Sequence, residues 1–212
     1  MTNGRRAQWR SASSPGVIEY AANLLNQGEL VVFPTDTVYG IGAAVTRPDA
    51  VARLYVAKGR PLDRPIPVLI SSFEQIERLA RDVDARLEPF LRNFWPGGLT
   101  VVLKAATWLP REIVGNTGHV GLRIPDHEVA VALIEAAGGA IATTSANRSG
   151  EPAATTPEDA YEALSGEAAL VLDGGASPGG INSTVITIEL GRVTILRRGA
   201  IPASALPGEL PD

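Results

Sequence analysis

Apolar residues recur along the chain in two spacings, one typical of helices and the other of strands. The three- and four-residue spacing of a helix is followed by Ile18, Ala21, Ala22 and Leu25. This helix is predicted to begin at Pro15 and to end at Gly28. Similar spacing predicts helices from Pro48 to about Lys58, over 73–95, over 127–137 and from Pro157 onward. Short apolar runs predict strands at 30–33, 66–71, 99–104, 119–125, 140–144, 168–173, 183–190 and 192–198. These elements mix without strict alternation, which predicts an α/β (α+β) fold with a twisted mixed β-sheet and flanking helices.

The segments between these elements predict how the domain is bounded. The polar stretch 1–14 carries Arg5, Arg6 and Arg10 without periodicity and is predicted to be a disordered or loosely attached basic arm. One folded domain is predicted over 15–202, followed by a short C-terminal tail over 203–212. The segment PTDTVYGIGA at 34–43 is predicted to be a loop at a strand end, because Pro34 stops the preceding strand.

Composition and charge exclude several classes of function. With 45% hydrophobic residues, the 212-residue chain can build a sizeable core. Its net charge of -4 disfavours a constitutively basic nucleic-acid coat protein. Cysteine is absent, which excludes disulfides, thiolate nucleophiles and cysteine-ligated metals, and two histidines are too few for most transition-metal sites. No apolar run has the length of a membrane span and the first residues lack a signal-peptide core, so no membrane partner and a cytoplasmic location are expected.

Several common catalytic motifs are missing from the sequence. There is no GxxxxGK[ST] phosphate loop, no GxSxG elbow and no HExxH. Gly40 and Gly42 match a dinucleotide-binding GxGxxG only in part, and glycines that permit a tight turn are the better explanation. Ser145 as a hydrolase nucleophile would need His119 or His127 as its base, but the strained elbow is absent.

Three cations within seven residues form the first candidate binding group. Lys58 and Arg60 are two residues apart and Arg64 follows, while Pro61 and Pro65 stiffen the segment. Such a cluster suits a polyphosphate, although on its own it is more often a solvated surface loop.

Polar residues beside strands form the second candidate group. The segment TTSANRSG at 143–150 follows an apolar strand and is typical of an anion-binding rim or of an ordinary turn. Arg123 lies inside an apolar strand and needs either an anionic ligand or an internal Asp or Glu. Thr35 and Thr37 are two apart and can face one pocket, with Asp36 turned away. The same alternation sends Arg197 and Arg198 to opposite faces, so that one of them can face a site.

Taken in order, the motifs resemble the YrdC-like threonylcarbamoyl-AMP synthase family. The resemblance covers nearly everything from 17 to 201 and rests on GELVVFPTDTVYGIGA, KGRP, FWPGGLTVVL, GLRIPDH, TTSANRSG, STVI and ILRRGAI. It implies a YrdC-like catalytic domain over 15–202 and a nucleotidyltransferase that joins L-threonine, bicarbonate or CO2, and ATP into threonylcarbamoyl-AMP, releasing pyrophosphate. This is the first step of tRNA threonylcarbamoyladenosine modification. Because the chain ends shortly after ILRRGAI, it resembles the short, single-domain form.

The resemblance also implies roles for individual residues. The ATP site would comprise Lys58, Arg60, Arg64, Ser145, Asn147 and Arg197. The threonine site would comprise Thr37, Arg123, Thr143 and Ser183. Magnesium would arrive with ATP and have no ligand from the protein, and no residue is assigned as the general base. The implied partners are a downstream threonylcarbamoyl transferase complex and tRNA or another RNA.

The sequence departs from the family pattern at three positions, and one alternative function stays open. His119 and Ala153 stand where relatives often have small hydroxyl residues, and Arg198 stands where proline is common. The alternative is a non-catalytic module on the same fold that binds double-stranded RNA or the ribosome. The net charge of -4 disfavours that alternative, whereas the intact KGRP and SANRSG motifs favour the enzyme.

Overall fold

Ten strands join into one mixed sheet in the computed structural model, which describes residues 6–59, 65–148 and 150–211. The strands are β1 (Gln8–Ser11), β2 (Val31–Phe33), β3 (Gly40–Ala44), β4 (Val68–Ile70), β5 (Leu99–Lys104), β6 (His119–Arg123), β7 (Ala140–Ser145), β8 (Leu170–Asp173), β9 (Thr184–Glu189) and β10 (Arg192–Arg197). The helices are α1 (Val17–Asn26), α2 (Pro48–Lys58), α3 (Glu74–Leu79), α4 (Leu87–Leu91), α5 (Arg111–Val114), α6 (Glu128–Ala136) and α7 (Pro157–Leu164).

The spatial order of the strands is β1-β8-β2-β3-β7-β4-β6-β5-β9-β10. Four neighbouring pairs are parallel, namely β1 with β8, β2 with β8, β4 with β6 and β5 with β9, and the other five are antiparallel. The predicted twisted mixed sheet with flanking helices is therefore confirmed.

Alternate residues of the central strands pack into two separate apolar clusters. In β2, Val31 and Phe33 join the cluster that contains α1 and α6, whereas Val32 joins the cluster that contains α2, α3, α4, α5 and α7. Because successive side chains of a strand point to opposite faces, the helices cover both faces of the central sheet.

The predicted loop at 34–43 is wrong in its second half, where β3 lies. β3 is the central strand between β2 and β7, although its sequence GIGAA is poor in strand-forming residues. A Cβ on Gly40 would lie 2.8 Å from Cγ2 of Thr143, and one on Gly42 would lie 2.6 Å from Cγ2 of Ile141. The two glycines therefore admit neighbouring side chains rather than a dinucleotide.

The predicted helix at 73–95 is also wrong, because the chain breaks it into α3 and α4. Ala80 adopts an extended conformation and forms a β-bridge with Ala105, and the Arg81 N–H donates to the Lys104 carbonyl at 2.9 Å. The pattern of apolar and charged residues continues across this break, which explains why one helix was predicted.

Part of the predicted N-terminal arm is a strand. Gln8–Ser11 form β1 at the edge of the sheet, parallel to β8, and the Trp9 ring packs against Tyr161 with 5.4 Å between centroids. Backbone pairing of this kind needs no apolar run, so the sequence QWRS gave no strand signal. Residues 1–5 lie outside the described part of the chain.

Within the described ranges, no helix combines the length and the apolar character required to cross a membrane.

Candidate functional site

A small cavity opens where the ends of several strands meet beside the 34–39 segment. Its volume is about 120 Å³. It is lined by Thr35, Thr37, Val38, Tyr39, Gly40, Pro67, Leu69, Thr100, Arg123, Thr143, Thr144, Ser145, Asn182, Ser183 and Arg197. All four residues that the resemblance assigned to threonine, Thr37, Arg123, Thr143 and Ser183, lie around this one cavity.

Arg123, at the end of β6, is 5% exposed and is held by three different acceptors. Its Nε donates to the Gly97 carbonyl at 2.8 Å, one Nη1 hydrogen goes to Thr37 Oγ1 at 3.0 Å, and Nη2 forms an ion pair with Asp36. Burial lowers the pKa of the Arg123 guanidinium, and the charge of Asp36 raises it. A guanidinium has five N–H donors, so one on each terminal nitrogen has no acceptor within the described part of the chain.

As predicted, Thr35 and Thr37 line the cavity and Asp36 does not, but the cause is a turn and not strand alternation, and the Asp36 carboxylate pairs with Arg123. Its Oδ1 accepts from both Arg123 and the Asp126 backbone N–H, the latter at 3.1 Å. The 34–39 segment is a turn rather than an extended strand, so strand alternation does not apply to it. Of the two alternatives left open for Arg123, the internal ion pair is present, and it still leaves donors for an anion.

The hydroxyls of Thr35 and Thr37 lie on the cavity wall and share a hydrogen bond whose donor can be assigned. Thr35 Oγ1 donates to the Val38 carbonyl at 2.6 Å, and its single proton is then used. Across the 3.0 Å that separates the two hydroxyl oxygens, Thr37 must be the donor. Thr37 Oγ1 also accepts from Arg123, so toward a ligand this hydroxyl acts as an acceptor.

The opposite wall carries hydroxyls from three other strands or their ends. Ser183 Oγ lies 2.8 Å from Thr100 Oγ1 of β5, and Arg197 Nη2 donates to the Ser183 carbonyl at 2.7 Å. Thr143 Oγ1 of β7 donates to the Ile141 carbonyl at 3.1 Å, which leaves its lone pairs for a donor on the ligand. Of the pair 197 and 198, Arg197 is the side chain that faces the cavity.

Three of the residues assigned to ATP, Lys58, Ser145 and Asn147, contact one another, and Ser145 among them lines the cavity. Lys58 Nζ donates to the Ser145 carbonyl and to Asn147 Oδ1, each at 2.7 Å. The other two predicted phosphate ligands, Arg60 and Arg64, lie outside the described residues.

A larger groove of about 460 Å³ continues from the cavity along the sheet. Pro67, Thr100 and Arg197 line both spaces, and His119 and Val185 line the groove alone. Ala153 instead lines a separate groove beside Asn147. Of the two positions that depart from the family pattern near the nucleotide, only His119 therefore lies on this groove.

The glycine-rich segment 174–183 closes one side of the cavity. The Tyr39 hydroxyl donates to the Gly175 carbonyl at 2.6 Å, and burial raises the pKa of Tyr39 to about 12, so this donor keeps its proton. Farther along, the Gly180 N–H donates to the Thr37 carbonyl at 2.7 Å. A Cβ on Gly179 would lie 2.7 Å from the Asp36 carbonyl oxygen, so only glycine permits this close approach.

The sequence analysis did not predict several polar residues of the site, among them Asp36, Tyr39, Thr100 and Asn182. Thr100 carried a usable signal, because it is a buried hydroxyl within the apolar run LTVVLK. Asn182 carried none, since it follows a glycine-rich stretch that resembles a connector.

The described residues include no group of three or more His, Asp or Glu side chains placed to hold a metal ion.

Comparison with known proteins gives a consistent picture. The Sua5/YciO/YrdC family model, described as telomere recombination, matches residues 23–199. A threonylcarbamoyl-AMP synthase of Pyrococcus abyssi is 42% identical over 87% of this chain and 54% of its own length, and one of Bacillus subtilis is 40% identical over 90% and 55%. A putative threonylcarbamoyl-AMP synthase of Mycobacterium tuberculosis is 38% identical over 89% of this chain and 86% of its own length.

Solved structures agree with these relatives. The structure of P. abyssi Sua5 in complex with L-threonine superposes with a TM-score of 0.86 at 41% identity, covering 89% of this chain and 55% of that one. The chain thus spans about half the length of the P. abyssi and B. subtilis relatives. The family model matches most of the chain, and the relatives share the fold and about 40% of its residues. The chain therefore belongs to the Sua5/YciO/YrdC family.

Proposed function

We propose that this protein is an L-threonylcarbamoyladenylate synthase, which joins L-threonine, bicarbonate or CO2, and ATP into threonylcarbamoyl-AMP and pyrophosphate. The observation that carries the proposal is the convergence of Thr37, Arg123, Thr143 and Ser183 on one small cavity that opens into a larger groove at Arg197. The names of the relatives and the L-threonine in P. abyssi Sua5 support it.

The size and lining of the cavity suit a small hydroxylated amino acid. Pockets for drug-sized ligands measure about 300–1,000 Å³, whereas this one measures about 120 Å³. The two Arg123 N–H donors without an internal acceptor match a carboxylate, and the Thr37 and Thr143 hydroxyls accept from donors on the ligand. Leu69, Pro67 and Val38 offer apolar surface to a methyl group. A site with fixed hydrogen-bonding partners rejects analogues that lack the matching group.

The larger groove is proposed to hold the nucleotide. At about 460 Å³ it falls within the range of ordinary ligand pockets. Arg197 belongs to both spaces, so a phosphate beside it would lie next to the bound amino acid. Arg60 and Arg64 are proposed to neutralise the triphosphate. The mutually bonded residues Lys58, Ser145 and Asn147 are proposed to complete the nucleotide site from the side of the smaller cavity, which Ser145 lines. Magnesium is proposed to travel with the triphosphate and to help neutralise it.

The reaction is an in-line displacement at the α-phosphorus. The threonine amine first adds to CO2 and loses one proton, or reacts with bicarbonate and loses water, which gives the N-carboxylate. An oxygen of this N-carboxylate, not of the α-carboxylate, then forms the new P–O bond, and the bond from the α-phosphorus to pyrophosphate breaks, with the electron pair leaving on pyrophosphate. No carboxylate or imidazole among the described residues lines the 120 Å³ cavity, so the side chains contribute by positioning and charge neutralisation. A threonylcarbamoyl transferase complex, acting on tRNA in the cytoplasm, is proposed to consume the product.

Pyrophosphate release from ATP by the purified protein tests this proposal. We expect release only when L-threonine and bicarbonate are both present, together with the mass of threonylcarbamoyl-AMP. The Ser183→Ala variant, which loses a hydroxyl of the cavity wall, should release less. Release that needs neither addition, or none from folded protein with magnesium, would refute the synthase. Tight binding of double-stranded RNA in that case would favour the non-catalytic alternative.

A further inference from the structure

Lys58 and Asn147 are both buried and are hydrogen-bonded to each other. Lys58, the last residue of α2, is 6% exposed, and Asn147 is 8% exposed. A buried ammonium is costly unless oxygen atoms surround it. Here Nζ lies 2.7 Å from the Ser145 carbonyl, 2.7 Å from Asn147 Oδ1 and 3.4 Å from Ser145 Oγ. Two of its three donors thus form short, charge-assisted bonds to the protein itself.

The Asn147 side chain carries this connection into the following turn. Its Nδ2 donates to the Arg148 carbonyl at 2.9 Å and to the Glu151 carbonyl at 2.7 Å. The Glu151 N–H in turn donates to the Arg148 carbonyl at 3.1 Å. Both amide hydrogens and the amide oxygen of Asn147 are therefore used within the turn that contains the described residues 145–148, 150 and 151, which is called the 145–151 turn below.

From these contacts we infer that Lys58 is a positioning residue, which acts on the nucleotide through the 145–151 turn rather than by touching phosphate. Lys58 connects the end of α2 to the turn, and Asn147 closes the turn from inside. The backbone N–H groups of Arg148 and Gly150, which have no acceptor within the described residues, and the Ser145 hydroxyl are then the groups that the turn presents to an anion. This inference rests on the proposed function for its ligand, ATP, but its structural part is independent of it.

The Lys58→Met variant tests the inference, because methionine has a similar shape and no donor. Lys104→Met, at the chain's other lysine, is the matched control, since that ammonium is mostly exposed and pairs with Asp82. Hydrogen–deuterium exchange of 146–151 is measured without nucleotide. ATP and L-threonine affinities are measured separately by calorimetry, so that no turnover occurs.

A positioning role predicts three results together. Exchange in 146–151 rises in Lys58→Met without nucleotide, ATP affinity falls at least about tenfold, and L-threonine affinity is unchanged. Asn147→Ala should behave in the same way, and the double variant should lose little more than either single variant, because both act through one connection. Lys104→Met should change none of these values.

Other results would overturn the inference. Unchanged exchange with weaker ATP binding would make Lys58 a direct phosphate ligand, as would additive effects of the two substitutions. Faster exchange with unchanged ATP affinity would show that the 145–151 turn does not contribute to ATP binding. Should Lys58→Met fail to fold, Lys58→Gln, which keeps a donor, and Asn147→Ala answer the same question. If the wild-type protein binds no ATP, the proposed function fails, while the exchange measurement still reports on the turn.

Discussion

Replacing Arg123 with lysine removes the planar fork at the amino-acid site while keeping the positive charge opposite Asp36. The wild-type guanidinium gives one hydrogen each to Gly97, Thr37 and Asp36. We expect its two other hydrogens to bind the substrate carboxylate. A lysine ammonium has three donors on one atom, so it cannot serve the same internal acceptors and a carboxylate in the same geometry.

The expected loss follows from the number of bonds. A hydrogen bond to a charged group contributes about 1.5–3 kcal/mol, and we expect Arg123→Lys to lose one of the two bonds to the carboxylate. L-threonine affinity should therefore fall about 10- to 150-fold. ATP affinity should change less than about threefold, because Arg123 does not line the larger groove.

Isothermal titration calorimetry with L-threonine and, separately, with ATP measures both affinities, and urea unfolding verifies that the variant is folded. Thr144→Ser, which alters another residue of the same cavity wall and keeps its hydroxyl, is the control. An equal loss for both ligands, or unchanged L-threonine affinity in the folded variant, would refute the assignment of Arg123 to the carboxylate.

Two further predictions concern the stability of the folded protein. A Cβ at Gly199 would lie 2.2 Å from the Asn182 carbonyl oxygen, so Gly199→Ala should displace the backbone beside Ser183. We expect this variant to lower the free energy of unfolding in urea by about 1–3 kcal/mol and to weaken L-threonine binding. Gly166→Ala, where an added Cβ meets nothing within 4 Å, is the control, and equal effects of the two would contradict the clash. Burial lowers the pKa of His127, whose Nδ1 lacks a partner among the described residues. The imidazole therefore binds a proton more readily in the unfolded state, and the free energy of unfolding falls as the pH falls through about 6.5. His127→Gln should lose part of this acid sensitivity in urea unfolding measured from pH 8 to pH 5, whereas parallel curves for the two proteins would show that His127 does not contribute.

The sequence predicted elements wherever local pattern and tertiary role coincide. Helix α1 and strand β5 follow their apolar periodicity, since the residues that create the pattern are the ones that are buried. Strand β3 was not predicted because its glycines do not favour a strand. They are required by the close approach of the Thr143 and Ile141 side chains, which depends on contacts between strands distant in sequence. The break at Ala80 was missed because its cause is a bridge to Ala105, distant in sequence.

In the candidate site too, some residues were predictable from the sequence and others depend on tertiary contacts. Family motifs identified Thr37, Arg123, Thr143 and Ser183, which the fold brings to one cavity. The partner of Arg123 was not predictable, because Asp36 reaches it through a turn that strand alternation does not describe. The buried position of Lys58 was likewise not predictable, since lysine is almost never fully buried and this one begins the polar motif KGRP.

The order of the strands has a consequence for synthesis of the protein. The cavity takes Thr37 from near the beginning of the domain, Arg123 and Thr143 from its middle and Arg197 from β10, so no early fragment of the nascent chain contains the complete site. The parallel pair of β2 and β8 can form only after β8 has been synthesised, and the pair of β5 and β9 only after β9 has been synthesised. Ligand binding should therefore appear only after β10 has left the ribosome, and a ribosome-stalled chain ending before β9 should bind neither ligand.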